Sequence, residues 1–250
     1  MLLKFGYGED SIAKENIFFV FGKNKQMIFD YLVFFDSRGG RINNMKIEST
    51  LMYKLKNILE NNFLSYILIS RPKNLTIFAT LYNFLKLNSD LKFKNLITNL
   101  GFVDCTPKKQ YNIDDMLLQI KQFSNTNNFI IEHESYKLNN GNVEILKSID
   151  YSTSYIKELN TFLSEKFEKC YFINTPVVPE DITIEERKRP KSFFTQLYKT
   201  NELLDNIVNL NQKKSILVDI KDFNYTYDAV HYTEEGHEMI FNKIKESIKL

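Results

Sequence analysis

The chain has 250 residues, 43% of them hydrophobic, enough to bury a sizeable core in one domain. Its 33 basic and 31 acidic residues leave a formal charge of +2, a balance that gives no basis for a nucleic-acid partner or an anionic membrane surface. The two cysteines, Cys105 and Cys170, stand far apart in no metal-like spacing, which excludes a disulfide scaffold and fits a reduced compartment.

The first ten residues lack a charged start, a long apolar run and a small-residue cleavage site. No stretch approaches eighteen apolar residues, so the expected location is the cytoplasm, with no membrane partner. Residues 1–30 read as an N-terminal extension, with short extended pieces at 16–21 and 26–29 forming a hairpin around Gly22-Lys23-Asn24-Lys25. Residues 31–35, Tyr-Leu-Val-Phe-Phe, are a continuous apolar run, the pattern of a strand buried on both faces of a parallel sheet. That run leads directly into Asp36-Ser37-Arg38-Gly39-Gly40. Leu51, Leu55, Ile58 and Leu59 then mark an amphipathic helix.

Residues 65–70 predict a second buried strand, closed by Arg71-Pro72-Lys73-Asn74, and residues 75–85 a second helix. Residues 93–100 predict a third strand ending in Gly101-Phe102-Val103-Asp104-Cys105. In the helix that follows, Asn112 is the expected cap and Ile113, Met116, Leu117, Ile120 and Phe123 the apolar face. Residues 124–150 break the rhythm and read as an insertion, a hairpin or a lid, with a turn signal at Asn139-Asn140-Gly141. A helix over 152–167, a fourth strand from 169, a helix over about 192–210 and a fifth strand over 215–220 complete the alternation.

The last segment is Tyr227-Asp228-Ala229-Val230-His231-Tyr232-Thr233-Glu234-Glu235-Gly236-His237. Thr233 is a good N-cap, and Glu234 and Glu235 suit the positive end of a helix dipole. Ile240, Ile244 and Ile248 recur every four residues as the buried stripe of a final helix.

Short buried strands alternating with helices predict a single α/β domain: about five parallel strands with helices on both faces, a flavodoxin-like three-layer sandwich. Ligands of such sheets bind outside the carboxyl ends of the strands. Asp36-Ser37, Gly101–Asp104 and Asp228–His231 all fall there, after the first, third and fifth strands. A serine hydroxyl needs a base to take its proton, and Asp three residues before His can supply base and orienter from one turn. Ser37, His231 and Asp228 are therefore the candidate nucleophile, base and orienter. No Gly-x-Ser-x-Gly elbow is present, which argues against the α/β-hydrolase fold in its strict sense. Ser11, in Gly8-Glu9-Asp10-Ser11, is the rival nucleophile, disfavoured because a helical crossover does not follow it directly.

On these residues the chain resembles the SGNH, or GDSL-type, hydrolases over roughly residues 31–250. Asp228-x-x-His231-Tyr-Thr-x-x-Gly236 is similar to the last block of that family. Phe35-Asp36-Ser37 is similar to its Gly-Asp-Ser block with Phe for Gly. Gly101-Phe102-Val103-Asp104 is similar to its Gly-x-Asn-Asp block with Val103 for Asn. The resemblance implies an esterase acting on an acyl ester, acetyl above all, of a small molecule or carbohydrate. The same triad would serve a glycan O-acyltransferase, and a non-catalytic binding protein of the same fold is the third reading. The family serine carries over to Ser37. Its oxyanion donors would be the main-chain N–H of Ser37 and of Arg71, which stands at the second block's glycine, with Asn74 or Asn99 as candidates to compensate for Val103. No cofactor and no metal are implied, and the partner is a small-molecule or glycan ester. His133 and His237 read as non-ligand residues, Cys105 as buried, and Tyr227 and Tyr232 as aromatics that can stack on a sugar.

Overall fold

The computed structural model describes residues 17–22, 27–41, 44–72, 75–137, 143–179 and 191–250. Eight strands and seven α-helices occur among them. They are β1 (Ile17–Phe21), β2 (Ile28–Phe35), α1 (Leu51–Asn61), β3 (Tyr66–Ser70), α2 (Phe78–Leu87), β4 (Lys92–Thr98), α3 (Phe102–Cys105) and α4 (Gln110–Phe123). Then follow β5 (Phe129–Lys137), β6 (Val143–Asp150), α5 (Thr153–Lys166), β7 (Lys169–Ile173), α6 (Lys191–Leu210), β8 (Ser215–Val218) and α7 (Glu234–Ile248).

The central sheet has six strands in the order β1-β3-β2-β4-β7-β8. The five from β2 onward are mutually parallel, while β1 joins the free edge of β3 antiparallel, Ile17 opposite Ser70 and Phe21 opposite Tyr66. The extended piece before Gly22 therefore does not form a hairpin with the piece after it. Both edges of β2 are occupied by β3 and β4, and β1 pairs instead with the far side of β3.

Alternation along β2 explains the three layers. Leu32 and Phe34 face one core with helices α2, α4, α5 and α6, whereas Tyr31, Val33 and Phe35 face the other with α1 and α7. A strand buried on both faces reads as an unbroken apolar run, and the side chains of residues 32–35 are fully enclosed. At about 1.5–3 kcal/mol for each large side chain buried, this is a rigid base for whatever follows its carboxyl end.

Residues 124–150 hold a separate two-stranded antiparallel sheet of β5 and β6, linked to the body by a bridge between Lys108 and Lys147. Helix α4 starts at Gln110 with Lys109 at its cap, so Asn112 lies inside the first turn and does not cap it. No helix among the described residues is long and apolar enough to cross a membrane.

Candidate active site

Taking the parallel strands in chain order, the sheet runs 2-1-3-4-5, and the order reverses between β2 and β4. The crevice at that switch point is where such sheets bind ligands. Chain leaving β2 at this edge makes a tight 3-10 turn, Ser37–Gly39. Asp36 caps it, its carboxylate accepting from the Arg38 N–H at 2.8 Å. Across the switch point, the Asp36 N–H donates to Asn99 Oδ1 at 2.8 Å, and Ser70 Oγ at the end of β3 donates to the Asp36 carbonyl at 3.4 Å. Gly39 is obligatory here, since a Cβ on it would lie 2.2 Å from the Phe35 ring.

The third segment arrives from β8. A bridge between Thr226 and Tyr232, and a bond from Tyr227 N–H to the His231 carbonyl at 2.7 Å, close residues 227–231 into a short loop. Within it Asp228 is 1% exposed, and one of its oxygens accepts from Val230 N–H at 3.2 Å and His231 N–H at 2.9 Å. Wrapping the chain this tightly puts Ala229 at φ 65°, a left-handed conformation unusual for a residue with a Cβ. Immediately after, Thr233 Oγ1 accepts from Gly236 N–H at 3.1 Å and starts α7. A Cβ at Gly236 would meet the Tyr225 carbonyl at 2.3 Å, so the chain leading into the loop packs directly on the helix's first turn.

These two turns bring Ser37, His231 and Asp228 together. Ser37 Oγ is 3.3 Å from His231 Nε2, and His231 Nδ1 is 3.0 and 3.1 Å from the two oxygens of Asp228. A carboxylate only accepts, so Nδ1 carries the proton and Nε2 presents its lone pair to the serine. The His231 side chain keeps 14% exposure, enough for a reacting group to approach.

The oxyanion donors fare unequally. Ser37 N–H occupies the first position of the 3-10 turn, where the geometry leaves a helix donor without an internal acceptor. Arg71 adopts φ 51°, the backbone conformation of a glycine, at the position where the resemblance places one. Its N–H nevertheless donates to the Phe35 carbonyl at 2.8 Å, extending the β2–β3 ladder, and is not free for a substrate. Asn74 and the rival Ser11 lie outside the described residues. Val103 is a packing residue between two apolar clusters. Asn99 is fully buried; its Oδ1 serves Asp36 and its Nδ2 has no hydrogen-bond partner.

The remaining candidates divide plainly. Asp104 accepts from Phe78 N–H and Gly101 N–H, both at 3.1 Å, tying the turn after β4 to the start of α2. Burial raises its carboxyl to about 7 against those two bonds. Cys105 is buried, and desolvation drives its thiol far above the ordinary range, so it is no nucleophile. Tyr232 is fully enclosed and cannot stack on a sugar, whereas Tyr227 is exposed. His133 Nε2 lies 2.8 Å from Ser148 Oγ across the β5–β6 hairpin, and no metal-holding cluster occurs among the described residues. His237 is buried, its Nδ1 accepting from Leu51 N–H at 3.0 Å.

Sequence reasoning missed Arg38. It is fully buried and forms a two-pronged ion pair with Asp36, Nε lying 3.1 and 3.0 Å from the carboxylate oxygens. Only its place beside Ser37 hinted at a special role.

No family model matches the chain, and no curated protein matches it. Solved structures do. The chain shares its fold with LAE5, an α/β hydrolase enzyme from the metagenome of Lake Arreo, Spain, at 12% identity and a TM-score of 0.50, covering 88% of this chain and 95% of that one. It shares the fold equally with Axe2, an acetylxylan esterase from Geobacillus stearothermophilus, at 13% identity and a TM-score of 0.51, covering 89% and 94%. The architecture is thus one that carries hydrolases.

Proposed function

We propose that the chain is a serine esterase of the SGNH type that removes an acyl group, acetyl above all, from a carbohydrate or small-molecule ester. The observation that carries this reading is the unbroken relay of Ser37 Oγ, His231 and Asp228 at 3.3 and 3.0 Å. In the reaction, His231 Nε2 takes the Ser37 proton as the oxygen attacks the ester carbonyl. Asp228 stabilises the imidazolium without taking its proton. Charge developing on the carbonyl oxygen meets the Ser37 N–H. The imidazolium then protonates the departing sugar alcohol, and a water activated by His231 hydrolyses the acyl-enzyme.

Axe2 supports the choice of ester, being an acetylxylan esterase, and one solved form of it is a catalytic mutant in which a serine is replaced by alanine. A second reading, a non-catalytic binding protein, draws on the occupied Arg71 N–H and on Val103. Acetate release from acetylated xylo-oligosaccharide and from 4-nitrophenyl acetate separates the two. The esterase reading expects turnover that falls by about 10⁴-fold or more in Ser37→Ala and His231→Ala. Absence of release by the folded wild type, or equal release by Ser37→Ala, would favour the binding protein.

A further inference from the structure

Arg38 touches neither solvent nor substrate space: it is 0% exposed. Its contacts run outward from the nucleophile turn in three directions. Nε and one terminal nitrogen grip the Asp36 carboxylate. The other terminal nitrogen donates to Thr175 Oγ1, just past the end of β7, and the Asp36-bound one also donates to the Asn99 carbonyl, just past the end of β4. Its Cζ lies over the Phe102 ring, 4.9 Å from the centroid. Asn99 thereby holds the turn on both sides of Ser37, taking the Asp36 N–H on its side chain and the Arg38 guanidinium on its carbonyl.

Two of these contacts continue to the base. Thr175 is clamped to α6 by Asn201, which accepts from its N–H at 3.2 Å and donates to its carbonyl at 2.8 Å. Phe102 meets Phe193 of α6 edge to face at 6.0 Å. Phe102, Phe193 and Leu197 form one apolar cluster with Ala229 and Val230, the two residues between Asp228 and His231. The nucleophile turn and the base loop, 194 residues apart, are joined behind the site through this one guanidinium.

We propose that Arg38 is the positioning residue of the site, the clasp that fixes Ser37 Oγ within reach of His231 Nε2. The inference rests on the reading of Ser37 as nucleophile. A fork of several donors suits the role, because carboxylate, hydroxyl and carbonyl are met at once while Cζ lies over an aromatic ring. A lysine keeps the charge opposite Asp36 but cannot make all of these contacts. Displacing a reacting atom by about 1 Å costs on the order of 10²-fold in rate.

The test is Arg38→Lys, read in three ways: the rate of phosphonylation by a fluorophosphonate, kcat and KM for 4-nitrophenyl acetate, and amide hydrogen exchange. The clasp predicts phosphonylation and kcat slowed about 10- to 100-fold, KM within two-fold of wild type, and exchange accelerated at Arg38–Gly40 but not in β2, β3 or β4. Phosphonylation at the wild-type rate overturns it, as does exchange that rises evenly through the sheet. Should Arg38→Lys fail to fold, Asp36→Asn with Arg38→Met removes the clasp without stranding a buried charge, and the same outcomes apply. If the wild type takes no label, the nucleophile reading fails on its own. Exchange at Arg38–Gly40 then decides the clasp alone, faster supporting it and unchanged overturning it.

Discussion

A single carboxylate oxygen of Asp228 accepts from two main-chain N–H groups and from the His231 ring, so the loop's shape and the imidazole's tautomer are set by one atom. Asp228→Asn keeps an acceptor for the backbone but presents an NH₂ group to Nδ1, favouring the wrong tautomer. Esterase activity should fall by about 10⁴-fold with little change in melting temperature; activity within ten-fold of wild type would remove Asp228 from the mechanism. Val103 invites the opposite experiment. It occupies the place where the resemblance puts an oxyanion-donating asparagine, and it packs among apolar side chains. Val103→Asn should raise kcat by up to about 10²-fold while lowering stability through the buried amide, measured by ester turnover and thermal melting. An unchanged kcat in the folded variant would show that the site does not recruit a donor from this position.

Strand β2 ends just before Ser37 and helix α7 begins just after His231, and both announce themselves in the sequence. β2 does so because burial on two faces leaves only apolar residues, and α7 because its cap, acidic first turn and four-residue repeat agree. Thr233→Ala removes the side-chain acceptor of Gly236 N–H and should cost about 1 kcal/mol in denaturant unfolding, with a larger loss of activity than that stability change alone would bring. Equal activity in the folded variant would mean that the His231 loop does not depend on its helix. Other elements were less legible. The partner of β1 is a matter of which ladder edge is vacant, a property of the assembled sheet. The start of α4 two residues before Asn112 is likewise invisible to capping preference, since Lys109 makes no side-chain cap. Arg38 was hidden for the same reason: a burial that depends on its own turn and on the segments after β4 and β7 leaves no local pattern.

Across the whole molecule, the strand order 2-1-3-4-5 places the turn after β2 against the end of β4, and the chain leaving β8 brings His231 to the same edge. Alternating strands and helices foretell that convergence, but not the distances within it. The packing of α7 on α1 also carries a pH signature. His237 sits beneath the site with Leu51 N–H on its Nδ1 and the Tyr232 ring 5.6 Å away. Burial first, then the nearby charge of Lys54, lower its pKa to about 4. Unfolded histidine takes a proton near pH 6.5 and the folded one does not, so this group's contribution is complete above pH 6.5 and is lost as pH falls toward 4. Wild type should lose on the order of 3 kcal/mol more over that window than His237→Asn in parallel denaturant titrations. Parallel curves would contradict the assignment.

The most direct measurement for the central claim is intact-protein and peptide mass spectrometry after treatment with a fluorophosphonate. The Ser37–His231–Asp228 relay predicts one adduct per chain, located on Ser37 and absent from His231→Ala. An adduct on another residue, Ser11 included, or no adduct on folded protein, would contradict it.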